Sequence, residues 1–168
     1  MPALSPSDYF IDTGAIELFV DPPDDSIAEF WKSLGKVQHT ICEVVYWEFM
    51  RQFDIRGNSI ARQRFVKSLD RGLIKSVPVD PDAAKLAVSI YQHVRTTLSG
   101  DKSARRIRMN ELQCDIIIAA TAVRHRRAVI TDDPKDWTQL HEVVTSNKLG
   151  TLPILVKDDM RDPSRWKK

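Results

Sequence analysis

The sequence predicts an α/β fold, a mostly parallel sheet covered by helices on both faces. Three observations carry that prediction. Short apolar runs of strand character recur along the chain, at YFI, HTI, AVIT and PILV. Between them lie longer stretches whose apolar residues repeat at helical spacing, long enough to serve as crossover connections between parallel strands. At 168 residues with a hydrophobic fraction of 42% and no internal repeat, the chain is long enough to bury one core in one domain over 1–168, with the fold proper at about 9–156.

Each element follows from local signals. DYFI ends at Asp12, and the residues after Thr13 and Gly14 turn helical from about Ala15. VDPPDDS is a turn, after which Ser26 is placed to cap a helix through IAEFWKSL that stops at Gly35. KVQHTI alternates as a second strand, and CEVVYWEFMRQF continues as a helix with Val44 and Trp47 along one face. DIRGNS breaks that helix. IARQRFVKSLDRG reads as a solvent-facing helix with Gly72 as its stop, and LIKSVPV as a third strand closed by Pro78. Asp80 followed by Pro81 is a strong start for PDAAKLAVSIYQHVRTTL, because proline at the first helical position gives up no needed N–H. SGDKS is a loop leading into the basic ARRIRMN. DIIIAATAVRHRR is alanine-rich and helical, AVIT is a fourth strand, and TLPILV contains a fifth. The remainder, 157–168, is a polar tail expected to fray.

Bulk properties exclude several classes. No apolar run approaches the ~20 residues that span a bilayer, and MPALSPSDYF lacks the basic and apolar regions of a secretory signal. Cys42 and Cys114 give no disulfide framework and read as buried thiols in a reducing cytoplasm. A net charge of +2 does not by itself indicate nucleic acid. Its distribution is more informative: KSARRIRMN and RHRR concentrate cations at Arg105, Arg106, Arg108, Arg124 and Arg127, a candidate rim for a polyanion, where the plain alternative is a solvated helix face.

The acids carry the functional reading. In open parallel sheets the chemistry lies where strands end and helices begin. Asp12 ends the first strand, Glu43 opens the helix after the second, Asp115 opens the alanine-rich helix, and Asp132 and Asp133 follow the fourth strand, with Asp136 close behind. Singly, each is an ordinary helix cap or turn aspartate. Jointly, four segments deliver carboxylates to one sheet edge, where two charges ~4 Å apart repel by roughly 4 kcal/mol at an effective dielectric of 20. Such a set is stable when it shares a cation, and an all-oxygen donor set suits Mg²⁺ or Mn²⁺. The histidines show no zinc spacing. Glu48, five residues beyond Glu43, is expected to point elsewhere on its helix, as a surface or salt-bridging residue.

In this order and context the motifs resemble those of the PIN domain nucleases, the family that includes the VapC-type toxins of toxin–antitoxin pairs. FIDTGAI resembles the family's strand-ending aspartate followed by Thr or Ser, at Asp12 and Thr13. TICE resembles its Thr-x-x-Glu, at Thr40 and Glu43. CDIIIAATA resembles its aspartate before an alanine-rich helix, at Asp115. VITDDPKDW resembles its Thr-x-Asp turn, at Thr131, Asp133, Asp136 and Trp137.

The resemblance implies a three-layer α/β/α sandwich and a Mg²⁺- or Mn²⁺-dependent endoribonuclease. It assigns Asp12, Glu43, Asp115 and Asp133 to the metal and the chemistry, with Thr13, Thr131, Asp132 and Asp136 around them. It also implies an RNA substrate, an antitoxin that inserts a cationic side chain into the acidic pocket, and a homodimer. The alternative is a PIN-fold RNA-binding or regulatory protein held in a complex without a toxin role. Extra length between Glu43 and Asp115 departs from a compact toxin.

Overall fold

A computed structural model describes residues 9–34, 38–56 and 59–163 of the chain. Gly35, Gly57, Asn58 and the end of the tail, where the sequence suggests a helix stop, a helix break and fraying, lie outside the described residues. The elements run β1 (Tyr9–Ile11), α1 (Thr13–Val20), α2 (Asp25–Ser33), β2 (His39–Cys42), α3 (Glu43–Arg56), α4 (Ser59–Asp70) and β3 (Ile74–Val77). There follow α5 (Pro81–Thr97), α6 (Lys102–Glu111), α7 (Gln113–Arg124), β4 (Ala128–Thr131), α8 (Pro134–Ser146), β5 (Ile154–Val156) and α9 (Lys157–Arg161).

Five strands form one sheet in the order β3-β2-β1-β4-β5, and every neighbouring pair is parallel. β1, β2 and β4 are buried along their whole length, which is why β1 and β4 read in sequence as apolar runs rather than alternating ones, while the buried β2 also carries His39 and Thr40. The chain winds outward from β1 to β3, then returns to the far side of β1 and winds the other way to β5. The winding therefore reverses between β1 and β4, and in open sheets of this kind the crevice that takes ligands lies at the carboxyl ends of the strands at such a reversal. Asp12 directly follows β1 and Asp132 directly follows β4.

Several helix starts are set by aspartates. Asp80 and Asp101 each accept a bond from the backbone N–H three residues on, at 2.7 and 2.8 Å. Asp24, not Ser26, caps α2, bonding Ile27 N at 3.0 Å. Ala119, Ala120 and Ala122 of α7 are fully buried, and their small side chains let α7 lie close against the sheet and α5. The segment after β5 is not simply frayed. Residues 157–161 form α9, Met160 is fully buried, and Arg161 clamps Asp24 at 2.7 Å.

One buried polar group fixes a pH dependence. His39 in β2 shares a 2.9 Å hydrogen bond with the Tyr9 hydroxyl and packs edge-on against Phe19 and Trp31. Burial among these rings disfavours the charged imidazole and lowers its pKa from 6.5 to about 4. The unfolded chain thus binds the proton more tightly, so this contribution to stability is whole above pH 6.5 and is lost as the pH falls towards 4. In urea titrations the stability of wild type relative to His39→Gln should decline by up to about 3 kcal/mol between pH 7 and pH 4. A pH-independent difference would show that the histidine is not held neutral.

Candidate functional site

The crevice between β1 and β4 is built around Asp12. Its backbone N–H donates to Ile130 O across the strand pair at 2.9 Å, which ties the position of the carboxylate to the sheet. One carboxylate oxygen accepts from Thr13 N at 2.7 Å, and the other accepts from Thr131 Oγ1 at 2.9 Å and from the indole Nε1 of Trp137 at 3.1 Å. Trp137 is fully buried, so the indole is a rigid donor. Burial raises the Asp12 pKa to about 6, against the opposing pull of these three bonds and with the charge of Glu48 adding to the rise.

Asp115, in the first turn of α7, faces this group. Burial pushes its pKa up to about 8, and the charges of Asp12, Glu48, Asp136 and Asp133 push in the same direction. Among the described residues no donor or cation partners its carboxylate. Five acids from four segments thus feel one another at a single edge of the sheet.

The glutamate in this group is Glu48, which overturns the expectation from sequence. Thr13 Oγ1 donates to Glu48 Oε2 at 2.7 Å, and the neighbouring Cys114 thiol has its pKa raised to about 12, first by burial and then by the proximity of Glu48. Glu43 is exposed, and its Oε1 accepts from Val79 N at 3.0 Å, on the side of β3. The physical reason is helical rotation. At ~100° per residue Glu48 lies about 60° from buried Val45, whereas Glu43 lies about 160° from it. A helical projection of VVYWEF would have placed Glu48 beside the buried stripe of Val45 and Phe49.

The turn after β4 divides its aspartates. Asp133 Oδ1 accepts from Lys135 N at 3.1 Å and Asp136 N at 3.2 Å, capping α8, while its own N–H bonds Thr131 Oγ1 at 3.0 Å. Asp136 is nearly buried and is neutralised by Arg108, which also reaches Glu111 at 3.2 Å. Asp132 leans over the start of α1. A Cβ on Gly14 would fall 1.8 Å from Asp132 Oδ1, so glycine is what allows this approach. In a double-mutant cycle on stability, Gly14→Ala should cost about 1 kcal/mol more in wild type than in an Asp132→Ala background, because only wild type contains the clash. Equal costs would mean that Asp132 does not occupy this position.

The basic residues separate. Arg108 lies at the acidic edge. Arg105 and Arg106 are exposed on α6 beside it. Arg124 ends the helix that Asp115 begins, about 13 Å away along the axis, and pairs with Asp80 at 3.8 Å and Asp82 at 3.5 Å. Arg127 precedes β4, at the end of the strand opposite Asp133. It donates to Thr40 Oγ1 at 2.6 Å and covers the Phe10 ring. Both arginines are therefore structural contacts remote from the acids, contrary to their expected place on a common rim.

Among the described residues no three carboxylates, thiols or imidazoles close up into a ready-made cage for an ion. The donor chemistry nonetheless fits Mg²⁺ or Mn²⁺. Magnesium keeps several waters and uses one or two carboxylates together with substrate phosphates, and Asp115 is a desolvated carboxylate with no partner of its own.

The model of the PIN domain family matches residues 9–140. No curated protein matches the chain in sequence. Among solved structures, the chain is similar to FitAcB from Neisseria gonorrhoeae (17% identity, TM-score 0.61, covering 88% of this chain and 96% of that one). It is similar to DNA-bound VapBC from Salmonella typhimurium (15%, 0.60, 89% and 97%). A third is VapBC2 from Rickettsia felis, bound to a DNA fragment from its promoter (12%, 0.56, 88% and 97%). At these identities the likeness concerns the fold. Among the described residues no helix is long and apolar enough to cross a membrane.

Proposed function

The chain belongs to the PIN domain family, and from that membership and the acidic crevice we propose that it is a Mg²⁺- or Mn²⁺-dependent endoribonuclease, the toxin of a VapC-type pair. The observation that carries the proposal is the meeting of Asp12, Glu48 and Asp115 at the reversal point of the sheet, with no cation beside Asp115 among the described residues.

Asp12, Glu48 and Asp115 would hold the ion, with Asp133 contributing charge at the rim. Bound there, it would lower the pKa of a water and offset charge on the scissile phosphate and leaving oxygen. The protein's own groups set up this chemistry. Thr131 and Trp137 hold the Asp12 carboxylate in one orientation, and Thr13 does the same for Glu48. Without an ion, Asp115 keeps its proton at neutral pH and is the group that must release it for an ion to bind. Arg108, held by Asp136 and Glu111, would meet a phosphate oxygen beside the acids.

The similar structures include VapBC complexes. An antitoxin partner for this chain follows as part of the same proposal, with a cationic side chain entering the acidic crevice. The test is cleavage of structured RNAs by purified protein with Mg²⁺ or Mn²⁺ and with chelator. Cleavage that needs the ion supports the reading. Cleavage that survives chelation, or none with any ion, contradicts it.

A further inference from the structure

A second feature lies outside the acidic crevice. Between α5 and α6 is a cavity of about 440 Å³, within the ~300–1,000 Å³ of small-ligand clefts. Tyr91 and Arg95, four residues apart on α5, form one wall. Lys102, Arg105 and Arg106 of α6 form the other, over buried Met109. Four cations line the cavity and no carboxylate does. Among the described residues none of the four has an acidic partner. A solvated helix face would explain single exposed arginines. It does not explain cations of two helices turned towards one hollow, where their mutual repulsion is uncompensated without an anion.

We propose that this cavity seats a nucleotide of single-stranded RNA, its phosphates on Arg95, Lys102, Arg105 and Arg106 and its base against the half-buried ring of Tyr91. The aromatic wall favours a nucleotide over a bare phosphate, since stacking on a ring is how unpaired bases are held. Continuity with the acidic edge favours a strand over a free nucleotide. Lys102 to Arg108 is about 9 Å along α6, and Arg108 is already paired with Asp136 of the crevice. Only the identity of the polyanion rests on the nuclease reading.

The experiment measures binding of a short labelled single-stranded RNA by anisotropy, in the Asp115→Asn background with chelator present, so that neither metal nor cleavage enters. Arg105→Glu with Arg106→Glu should weaken binding about tenfold or more. The slope of log K against log salt should fall by about 1.4, at ~0.7 per phosphate contact on a single strand. Tyr91→Leu should weaken binding severalfold and leave the slope unchanged. Exposed Lys32→Glu with Lys67→Glu makes the same change in net charge elsewhere and should do much less. An equal loss in that control would overturn the proposal, as would competition by polyglutamate as effective as that by unlabelled RNA. RNA held in this cavity by a protein that cleaves nothing would leave the proposal standing and remove the nuclease reading. Binding intact in the arginine and tyrosine variants, together with unaffected metal-dependent cleavage when the same changes are made in the protein that retains Asp115, would do the reverse.

Discussion

Replacing Asp115 by asparagine is expected to abolish RNA cleavage while making the ion-free protein more stable. The loss should be about a thousandfold or greater, the rate equivalent of the several kcal/mol that a bound ion supplies at developing charge. The gain has an electrostatic origin. Burial and four neighbouring acids raise the Asp115 pKa from 3.8 to about 8, so at pH 7 the folded protein must take up a proton that the unfolded chain leaves in solution. A carboxyl with a raised pKa contributes fully below pH 3.8, and that contribution is lost as the pH rises through 8. Asparagine has no charge to suppress. Chemical denaturation in chelator should therefore show Asp115→Asn ahead of wild type at pH 7 by a few kcal/mol, on the order of 2–4. The lead should shrink towards pH 4, the opposite sense to the His39 effect. Mg²⁺ or Mn²⁺ should reverse the ranking, because only wild type gains from binding the ion. A variant less stable than wild type at every pH, with cleavage retained, would mean that Asp115 is an ordinary helix-start aspartate.

The second large effect is a contrast between two glutamates of α3. Glu48→Gln should reduce metal-dependent cleavage at least 10- to 100-fold, the usual consequence of disturbing a ligand or the group that orients one. Glu43→Gln should leave it within about twofold, because an amide oxygen can still accept from Val79 N and Glu43 lies on the β3 side of the helix. Steady-state cleavage at saturating Mn²⁺, with thermal unfolding as a check on folding, decides the matter. Equal losses in the two variants, or loss confined to Glu43→Gln, would return the site to the arrangement suggested by TICE.

That contrast also marks where the sequence stopped being informative. Strand ends were legible, because a run such as AVIT has clear limits and the residues after it must lie at one sheet edge. Asp12 and the aspartates after Thr131 are legible in this way, whereas Asp115, which follows α6 rather than a strand, is legible only as the acid that opens an alanine-rich helix. Helix phase was harder. The strand-end rule favoured Glu43 for being nearest β2, although rotation about α3 carries Glu43 outward and brings Glu48 round to Thr13. The grouping of the two basic clusters on one rim breaks down for a related reason. Net charge along RHRR does not reveal which end of a helix or strand it occupies, so Arg124 and Arg127 were grouped with Arg105 and Arg106 although α7 and β4 hold them apart from the acids. Asp132 and Gly14 could not be paired from sequence at all, since their contact exists only once β1 and β4 are adjacent.

Calorimetric titration of Mn²⁺ into chelator-treated protein tests the shared carboxylate site most directly, because it needs neither an RNA target nor a partner. Wild type and Glu43→Gln should bind alike, Glu48→Gln should bind at least about tenfold more weakly, and Asp115→Asn should show no specific binding. Undiminished binding by Asp115→Asn and Glu48→Gln would place the ion elsewhere and contradict the account.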